Sequence, residues 1–315
     1  MKLNLQQQKS KIPQQSDIVI DSKGIIHISF FWEDLKDLGN SNCSESLKLP
    51  SASSTDRVIR PQREMKFPDL DTVREEYRSC RLCPKACGFN RINQIHPRCG
   101  DWQIRVSNAG LSLGDEAMIA GSRGSGVVML SGCPLSCYSC HNPEMVADGI
   151  PLTQNELFDL AWDLAERGAQ NLQLLSPTVH TPLLLPVLKA LKESQYPIPI
   201  IFKSSGYESV KQIRRFSGLI DIYLPDFKFG GCSALGSQAG ARNYYEIASA
   251  VVDEMLVQTG SARFSAEGGL QSGVLVRHVK APMPAVESAI IQDTLLDFEK
   301  RGAKISILDN FVPFD

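Results

Sequence analysis

The stretch that decides the fold is "GVVMLSGCPLSCYSC", residues 126–140. Its first five residues are apolar, as expected of a strand that is buried on both faces of a parallel sheet. Three cysteines follow at once, Cys133, Cys137 and Cys140. In folds built on parallel strands, the loops at the carboxyl ends of the strands carry the chemistry. The stretch therefore predicts a buried strand that ends in a reactive or metal-binding loop.

The same rhythm continues to the end of the chain. Five more short apolar runs follow, namely "NLQLL", "IPIIF", "LIDIYL", "GVLVRHV" and "AKISIL". Helical segments are predicted at 183–193, 207–216, 241–258 and 286–301. The first crossover helix begins at a Thr153–Glu156 capping box, which is followed by leucines and an alanine at helical spacing. Six βα repeats in a row predict an α/β fold with a parallel sheet, either a complete or a partial barrel.

Composition narrows the functional classes. The 315 residues are 43% hydrophobic and 22% charged, and the net charge is -2, so the chain is neither wholly disordered nor drawn to nucleic acid. The first residues lack the apolar core of a signal peptide, and no run of about 18 apolar residues could span a bilayer. We therefore expect a cytoplasmic protein with no nucleic-acid or membrane partner.

Three regions are expected along the chain. Residues 1–75 form an N-terminal extension, predicted to be partly disordered because it is rich in Gln and Ser. Its exception is "DIVIDSKGIIHISFFW", residues 17–32, which predicts either a hairpin or an apolar strip that orders on a partner. Residues 76–115 form a small Cys-rich metal-binding module, and residues 116–315 form the barrel.

Cysteine usage points to metal. Seven of the nine cysteines lie between positions 80 and 140, and cytosolic thiols stay reduced, so metal ligands or reactive thiols are expected rather than disulfides. Three thiolates on one loop can bind three irons of a 4Fe-4S cluster and leave the fourth open to a substrate or cofactor. The alternatives are a structural zinc site completed by His141 and chance clustering.

A second set of cysteines lies upstream, at Cys80, Cys83, Cys87 and Cys99. Four thiolates can close a site, which suits either a second iron-sulfur cluster or a structural zinc, and the spacing alone does not decide between them. The remaining two, Cys43 and Cys232, are interpreted as unliganded thiols.

The spacing Cys133-x3-Cys137-x2-Cys140 resembles the signature of the radical S-adenosylmethionine (radical SAM) superfamily. Four segments, "GSGVVMLSGCPLSCYSCHNPE", "PIIFKSSGYESV", "LIDIYLPDFKF" and "GVLVRHVKAP", together resemble the group related to pyruvate formate-lyase activating enzymes, and most of all its PflX-like branch. The likeness covers roughly residues 78–310. It implies a partial (β/α)6 TIM-like barrel, a 4Fe-4S cluster and S-adenosyl-L-methionine as cofactors, and an electron donor such as flavodoxin or ferredoxin.

The resemblance also implies an activity, reductive cleavage of S-adenosylmethionine followed by hydrogen abstraction from a protein or peptide substrate, for example in activation of a glycyl-radical enzyme. Two alternatives stay open. The substrate could be a small molecule, or the protein could be a non-catalytic iron-sulfur or zinc scaffold. No acid-base side chain is expected to be catalytic, because the cofactor performs the difficult step.

Cofactor contacts are expected by resemblance at five residues, Tyr138, Ser176, Thr178, Asp226 and Lys228. The chain departs from the family at two places. The position before the last cysteine, usually aromatic, is Ser139. Either Tyr138 takes over the contact with adenine, or adenine binding is weaker than usual in the family. His180 is displaced by one position and is interpreted either as a cofactor contact or as a satisfied loop histidine. Arg277 and His278 either reach the site or pair structurally.

Overall fold

The computed structural model describes residues 18–20, 26–28, 65–67, 69–140, 142–146, 149–231 and 233–309. Cys43, His141 and Cys232 lie outside these ranges, and so does any prediction that depends on them. The chain divides into two units, residues 1–55 and 56–315.

The first unit contains two short strands, β1 (Ile18–Ile20) and β2 (Ile26–Ile28). They pair antiparallel with Ile18 opposite Ile28 and Ile20 opposite Ile26. The strand pairing predicted for this segment is confirmed, while the turn that joins the strands lies outside the described residues.

The second unit is built on a nine-stranded sheet. Its strands are β3 (Ile104–Ser112), β4 (Ser125–Leu130), β5 (Ile150–Leu152), β6 (Leu172–Leu175), β7 (Ile200–Ser204), β8 (Ile222–Pro225), β9 (Arg263–Phe264), β10 (Leu270–Val279) and β11 (Lys304–Leu308). They lie in the order β11-β10-β8-β7-β6-β4-β3-β5, and β9 pairs with β10 alone.

The six strands predicted from the apolar runs are β4, β6, β7, β8, β10 and β11. Each is parallel to its neighbour, and they follow one another across the sheet in chain order. The predicted α/β class with a mostly parallel sheet is therefore confirmed. Sequence reasoning missed β3 and β5, which pair antiparallel at one side of the sheet, because "IRVSNAGLS" of β3 mixes polar and apolar residues without an apolar run.

Eight α-helices accompany these strands among the described residues. They are α1 (Leu70–Arg78), α2 (Ala117–Ala120), α3 (Gln154–Glu166), α4 (Thr181–Glu193), α5 (Val210–Arg214), α6 (Ala234–Gln238), α7 (Tyr244–Thr259) and α8 (Ala285–Lys300). Short 3-10 turns cover Pro143–Val146 and Pro177–His180. None of these helices is both long and apolar enough to cross a membrane.

The start of α3 shows how local sequence sets a helix boundary. The Glu156 backbone N–H donates to the Thr153 hydroxyl at 3.2 Å, and the Thr153 N–H donates to the Glu156 carboxylate at 2.7 Å. These two backbone N–H groups, which would otherwise lack partners at the start of the helix, are thus satisfied. The predicted capping box is confirmed, and it begins the crossover from β5 to β6.

The sheet is covered on both faces, which explains why its parallel strands are apolar throughout. Leu172 and Leu174 of β6 face the leucines of α3 and α4. On the opposite face, Ile201 and Ile222 pack with Ile119 of α2. Each buried side chain of this size stabilises the fold by about 1.5–3 kcal/mol relative to exposure.

The Cys-rich region is joined to this sheet. The expected boundary at residues 75 and 76 falls inside α1, and the expected Cys-rich module ends with β3, which pairs with β4 over Val106 to Ser112. The upstream cysteines therefore lie on chain that leads directly into the sheet carrying the second group.

Candidate functional site

The three-cysteine loop lies at the carboxyl edge of the parallel strands. In the strand ladder, Met129 of β4 pairs with Leu175 of β6, and Leu175 pairs with Lys203 of β7. The chain that follows each of these strands therefore emerges at one edge of the sheet. This edge receives residues 131–140, 176–180, 205–208 and 226–228.

Side chains from the neighbouring strand ends hold the loop backbone. The Ser176 hydroxyl donates to the Gly132 carbonyl at 2.7 Å, and His180 Nε2 donates to the Ser131 carbonyl at 2.7 Å. Ser176 adopts a left-handed conformation with φ of 58°, which brings its side chain back towards the loop. The loop is thus fixed in place by the segment that follows β6.

His180 is a neutral, buried histidine. Burial lowers its pKa to about 4, and the charge of Arg91 adds to this effect. Because the Ser131 carbonyl can only accept, Nε2 carries the proton at neutral pH. The interpretation of His180 as a satisfied loop histidine holds for Nε2 only, because Nδ1 is buried and has no hydrogen-bond partner among the described residues.

The three thiols of the loop influence one another. Burial raises the pKa of Cys133 to about 11, and negative charge on Cys137 or Cys140 raises it further. Burial likewise raises the pKa of Cys137, while the positive charge of Lys228 opposes the shift. Mutual effects of this kind fall off with distance, so the three thiols are neighbours in space.

Two cations flank these thiols. The charge of Arg98 lowers the pKa of both Cys133 and Cys137, against the larger effect of burial, and that of Lys228 lowers the pKa of Cys137. Arg98 comes from the upstream region, and its carbonyl accepts from the Cys133 N–H at 2.9 Å. These positive charges favour the thiolate, which is the form that binds metal, but burial has the larger effect on the pKa of both thiols.

Asp226 and Lys228 form a partly buried ion triad with Arg277. Lys228 Nζ lies 2.7 Å from one carboxylate oxygen of Asp226, and Arg277 Nε lies 2.9 Å from the other. Burial alone would raise the pKa of Asp226, but the charges of Lys228 and Arg277 lower it below its ordinary value. Two cations and one anion leave this end of β8 and β10 with net positive charge. His278 Nδ1 donates to the Phe227 carbonyl at 2.7 Å, a structural contact.

The other predicted cofactor residues differ in exposure. Thr178 is buried, and its hydroxyl donates to the Glu208 carboxyl at 2.7 Å. Burial raises the pKa of Glu208 to about 8, so this carboxyl is mostly protonated at neutral pH. Tyr138, by contrast, is 53% exposed, and its ring is open to a ligand beside the loop.

The upstream cysteines differ from one another in exposure. Cys80 and Cys83 are buried, Cys99 is half-buried and Cys87 is exposed. Burial raises the pKa of Cys99 to about 12, the charge of Arg91 opposes this, and negative charge on Cys83, Cys80 or Cys133 adds to it. Cys99 therefore neighbours both groups of cysteines.

Direct contact joins the two groups. Gly132 has φ of +102°, and a Cβ placed on it would lie 3.0 Å from the Cys99 carbonyl oxygen and from a Val179 methyl. Only glycine fits such a backbone without strain. A small cavity of about 70 Å3 has Cys99 of the upstream group in its wall, together with Gly132 of the loop and His180.

Across the described ranges, no three Cys, His, Asp or Glu side chains converge closely enough to bind one metal ion. Metal binding by three or four of these thiols would therefore require their side chains to change position.

Sequence reasoning missed a polar pair inside the sheet. Lys203 of β7 lies 2.6 Å from Asp115, and Gln173 of β6 donates to the same carboxylate at 2.8 Å. Lys203 and Asp115 are only 12% and 7% exposed. The signal was the lysine in the apolar run "IIFKS", since a buried lysine needs a partner, but nothing in the sequence identified Asp115, which is 88 positions away.

Comparison with known proteins adds little on function. No protein-family model matches the chain. The uncharacterized protein MJ0674 of Methanocaldococcus jannaschii is 25% identical over 187 residues, which cover 56% of this chain and 54% of that protein. The chain thus spans about half the length of the curated relative it matches, whose name assigns no activity.

Proposed function

We propose that the protein is a radical SAM enzyme of the type related to pyruvate formate-lyase activating enzymes. One observation carries the proposal. Cys133, Cys137 and Cys140 are neighbouring thiols on a loop at the carboxyl end of a central parallel strand. In enzymes built on parallel strands this edge is the usual place for the active site.

The three thiolates would hold three irons of a 4Fe-4S cluster, and the fourth iron would be open to S-adenosylmethionine. The donor set fits this group because thiolates are the ligands that such clusters require. Burial raises the pKa of Cys133 and Cys137, and the nearby charges of Arg98 and Lys228 offset part of this effect. A reduced cluster, when bound, supplies the electron that splits S-adenosylmethionine into methionine and a 5'-deoxyadenosyl radical. Ser176 and His180 hold the loop backbone in place for that ligation.

The strand order supports a partial (β/α)6 barrel. Six parallel strands follow one another in chain order from β4 to β11. Crossovers of this kind are nearly always right-handed, so stepping in one direction places the crossover helices on one face, as in a barrel. The opposite face would then be the barrel interior, where Asp115 and Lys203 lie.

The charged groups at the sheet edge suit the cofactor. Asp226, Lys228 and Arg277 form a triad with net positive charge, which would attract the carboxylate of S-adenosylmethionine. The triad lies near the loop, since Lys228 lowers the pKa of Cys137 and Asp226 raises it. Tyr138 is exposed beside the loop and would stack on adenine. Ser176 and Thr178 would act mainly by shaping the site, because both hydroxyls already donate within the protein.

The upstream cysteines would bind a second iron-sulfur cluster or a zinc ion. Cys80, Cys83 and Cys99 supply neighbouring thiols. Cys87 is exposed and would have to move inwards to complete a set of four.

By resemblance, the substrate would be a protein or peptide, and the electron would come from a small donor such as flavodoxin or ferredoxin. Reduced thiols and low-potential clusters need a reducing compartment, so we place the enzyme in the cytoplasm.

A second candidate function is a metal-binding scaffold without cofactor chemistry. It is favoured by the two departures from the family pattern, which are Ser139 at the usually aromatic position and the displaced His180.

One experiment separates the two functions. The protein is reconstituted anaerobically with iron and sulfide, reduced, and incubated with S-adenosylmethionine, and 5'-deoxyadenosine is measured. The enzyme should form this product, Cys137→Ser should form none, and Ser136→Ala in the same loop should behave like the parent. Iron binding without product in the parent would overturn the enzymatic proposal and leave the scaffold.

A further inference from the structure

A small cavity lies where the upstream cysteine region meets the edge of the sheet. Its volume is about 70 Å3, and its wall includes Ile95 and Cys99 of the upstream region, Ser131 after β4 and His180 after β6. Ile95 is 67% exposed, whereas Ser131 is 6% exposed and His180 is 1% exposed. The cavity therefore reaches from near the protein surface to the buried chain that follows these two strands.

His180 brings a buried acceptor to this wall. Its Nε2 donates to the Ser131 carbonyl at 2.7 Å, and a carbonyl can only accept, so Nδ1 of the neutral ring carries a lone pair and no proton. Nδ1 is buried and has no hydrogen-bond partner among the described residues. The backbone carbonyl of Gln103 also acts on the ring, but it has no hydrogen to donate. Because burial lowers the pKa of His180 to about 4, the ring is neutral at physiological pH and Nδ1 requires a donor.

Ser131 contributes a second polar atom without a partner. Its backbone is fully engaged, since the N–H donates to the Arg105 carbonyl at 2.8 Å and the carbonyl accepts from His180. Its Oγ atom, by contrast, is buried and has no partner in the described part of the chain. A hydroxyl can donate and accept, and it is unfavourable to bury one without a partner. Ser131 therefore brings the His180 ring and an unused hydroxyl to the same part of the wall.

The charged groups of the wall already bind each other. Arg105 Nη2 lies 2.7 Å from one carboxylate oxygen of Asp101, and Arg105 Nε lies 3.0 Å from the other. Burial alone would raise the pKa of Asp101, but Arg105 lowers it, and so does Arg91. Arg91 does not line the cavity, and its N–H groups donate to backbone carbonyls. The buried wall atoms that lack a partner, His180 Nδ1 and Ser131 Oγ, are uncharged, and the lone pair of Nδ1 disfavours an anion.

We propose that this cavity binds a hydroxyl group that donates to His180 Nδ1 and accepts from the Ser131 hydroxyl. A cavity needs about 10–15 Å3 to admit one water molecule. The volume of about 70 Å3 therefore admits several waters or one alcohol of a few carbon atoms. Ile95, Pro97 and Val146 supply apolar wall for an alkyl group. The inference goes beyond the proposed function and holds whether or not the cysteines bind metal.

The test follows the imidazole nitrogens of His180 by NMR, in the full-length protein labelled with 15N in histidine. The 15N shift distinguishes a nitrogen that bears a proton, a nitrogen whose lone pair accepts a hydrogen bond, and a nitrogen whose lone pair is free. Water and alcohols share the proposed chemistry, and propan-2-ol is the probe that separates them. Sodium formate is the probe for an anion.

The Nδ1 atom should accept a hydrogen bond. A hydrogen-bonded Nδ1 in plain buffer would assign water as the ligand, and a free Nδ1 whose shift changes saturably with propan-2-ol would assign an alcohol. Three results would overturn the proposal. They are a lone pair that stays free in both conditions, a proton on Nδ1, and a response to formate without a response to propan-2-ol.

Ser131→Ala gives a second readout. Because a bound hydroxyl would use Oγ, this variant should lower Tm by about 2–4 °C, the scale of one hydrogen bond in a domain of this size. The matched control is Ser125→Ala, since Ser125 Oγ is also buried without a partner in the described chain and Ser125 does not line the cavity. The control should leave Tm unchanged or raise it, because only an unpaired hydroxyl is lost. The same change of Tm in both variants would overturn the contact with Ser131.

Discussion

The two groups of cysteines are held in different ways. Cys133, Cys137 and Cys140 follow β4, and their loop is fixed by hydrogen bonds from the chain after β6. The upstream cysteines lie between α1 and β3, on chain without regular secondary structure apart from turns and a bridge between His96 and Gly100. The sheet supports the first group, whereas the backbone near Cys99 is held by Arg91, which donates to the Cys99 and Gly100 carbonyls.

If both groups bind metal as proposed, this difference predicts which site would need its metal to fold. A loop anchored to buried strands keeps its conformation when the ligand is absent. A region with few apolar contacts of its own gains much of its stability from metal binding. The predictions below test this contrast.

The largest effect is expected from Cys83→Ser. Cys83 is buried upstream, and loss of a structural thiolate should lower the free energy of unfolding of metal-loaded protein by several kcal/mol. Cys137→Ser should change it by less than about 0.5 kcal/mol, as for a partly exposed position. Urea unfolding of both variants measures this, and equal destabilisation would remove the contrast between the regions.

Asp226→Asn should destabilise the protein by about 3 kcal/mol at neutral pH, since two partly buried cations lose their partner. Because the folded pKa of Asp226 is lowered, this contribution is present above the ordinary pKa of an aspartate and is lost as pH falls. The difference from the parent should therefore shrink towards low pH in urea unfolding. Asp253→Asn, in an exposed pair with Arg301, is the control and should cost less than about 1 kcal/mol.

Glu208→Gln should stabilise the protein at alkaline pH. The folded pKa of Glu208 is about 8, raised by burial from an ordinary value of 4.5, so the parent loses stability as pH rises from the lower value to the higher. We expect a gain of about 2 kcal/mol at pH 8, less than the full pKa difference implies because the buried amide has a donor without a partner.

Thermal unfolding at several pH values tests this prediction. Near pH 4.5 the variant should be the less stable protein, because its amide donor lacks a partner at every pH. The two curves should cross at about pH 6 and separate as pH rises further. Parallel curves would mean that Glu208 is ionised in the folded protein, and Glu208 would then be a possible anion beside the upstream thiols.

The smallest effect is expected from Tyr138→Ala. Its side chain is 53% exposed, so stability and upstream metal content should not change. Affinity for S-adenosylmethionine should fall about five-fold, as stacking of an aromatic ring on a base contributes roughly 1 kcal/mol. Equilibrium dialysis with reconstituted protein measures the affinity, and an unchanged value would assign adenine to another residue.

The sequence predicted the parallel strands and the loop because both depend on local patterns. Apolar runs and the Thr153–Glu156 capping box are visible within a few residues. The antiparallel strands β3 and β5 and the Lys203–Asp115 pair depend on contacts between distant segments. A polar strand or a buried ion pair has no local signature that fixes its partner.

The same distinction applies to the site. Cysteine spacing predicted which thiols are neighbours, but not that Asp226 already holds two cations or that Ser176 and His180 bind the loop backbone. Arg91 also gave no signal, since a single arginine in "CGFNRINQ" looks like an ordinary surface residue. Its burial and its hydrogen bonds to four backbone carbonyls become apparent only in the folded structure.

The close approach of Gly132 to the Cys99 carbonyl has a practical consequence for protein engineering. A shortened chain beginning at β3 would bare the backbone of residues 131–133 and remove the carbonyl of Arg98 that Cys133 binds. Grafting the sheet and its loop onto another scaffold would therefore require the segment from Tyr77 to Asp101 to be transferred as well.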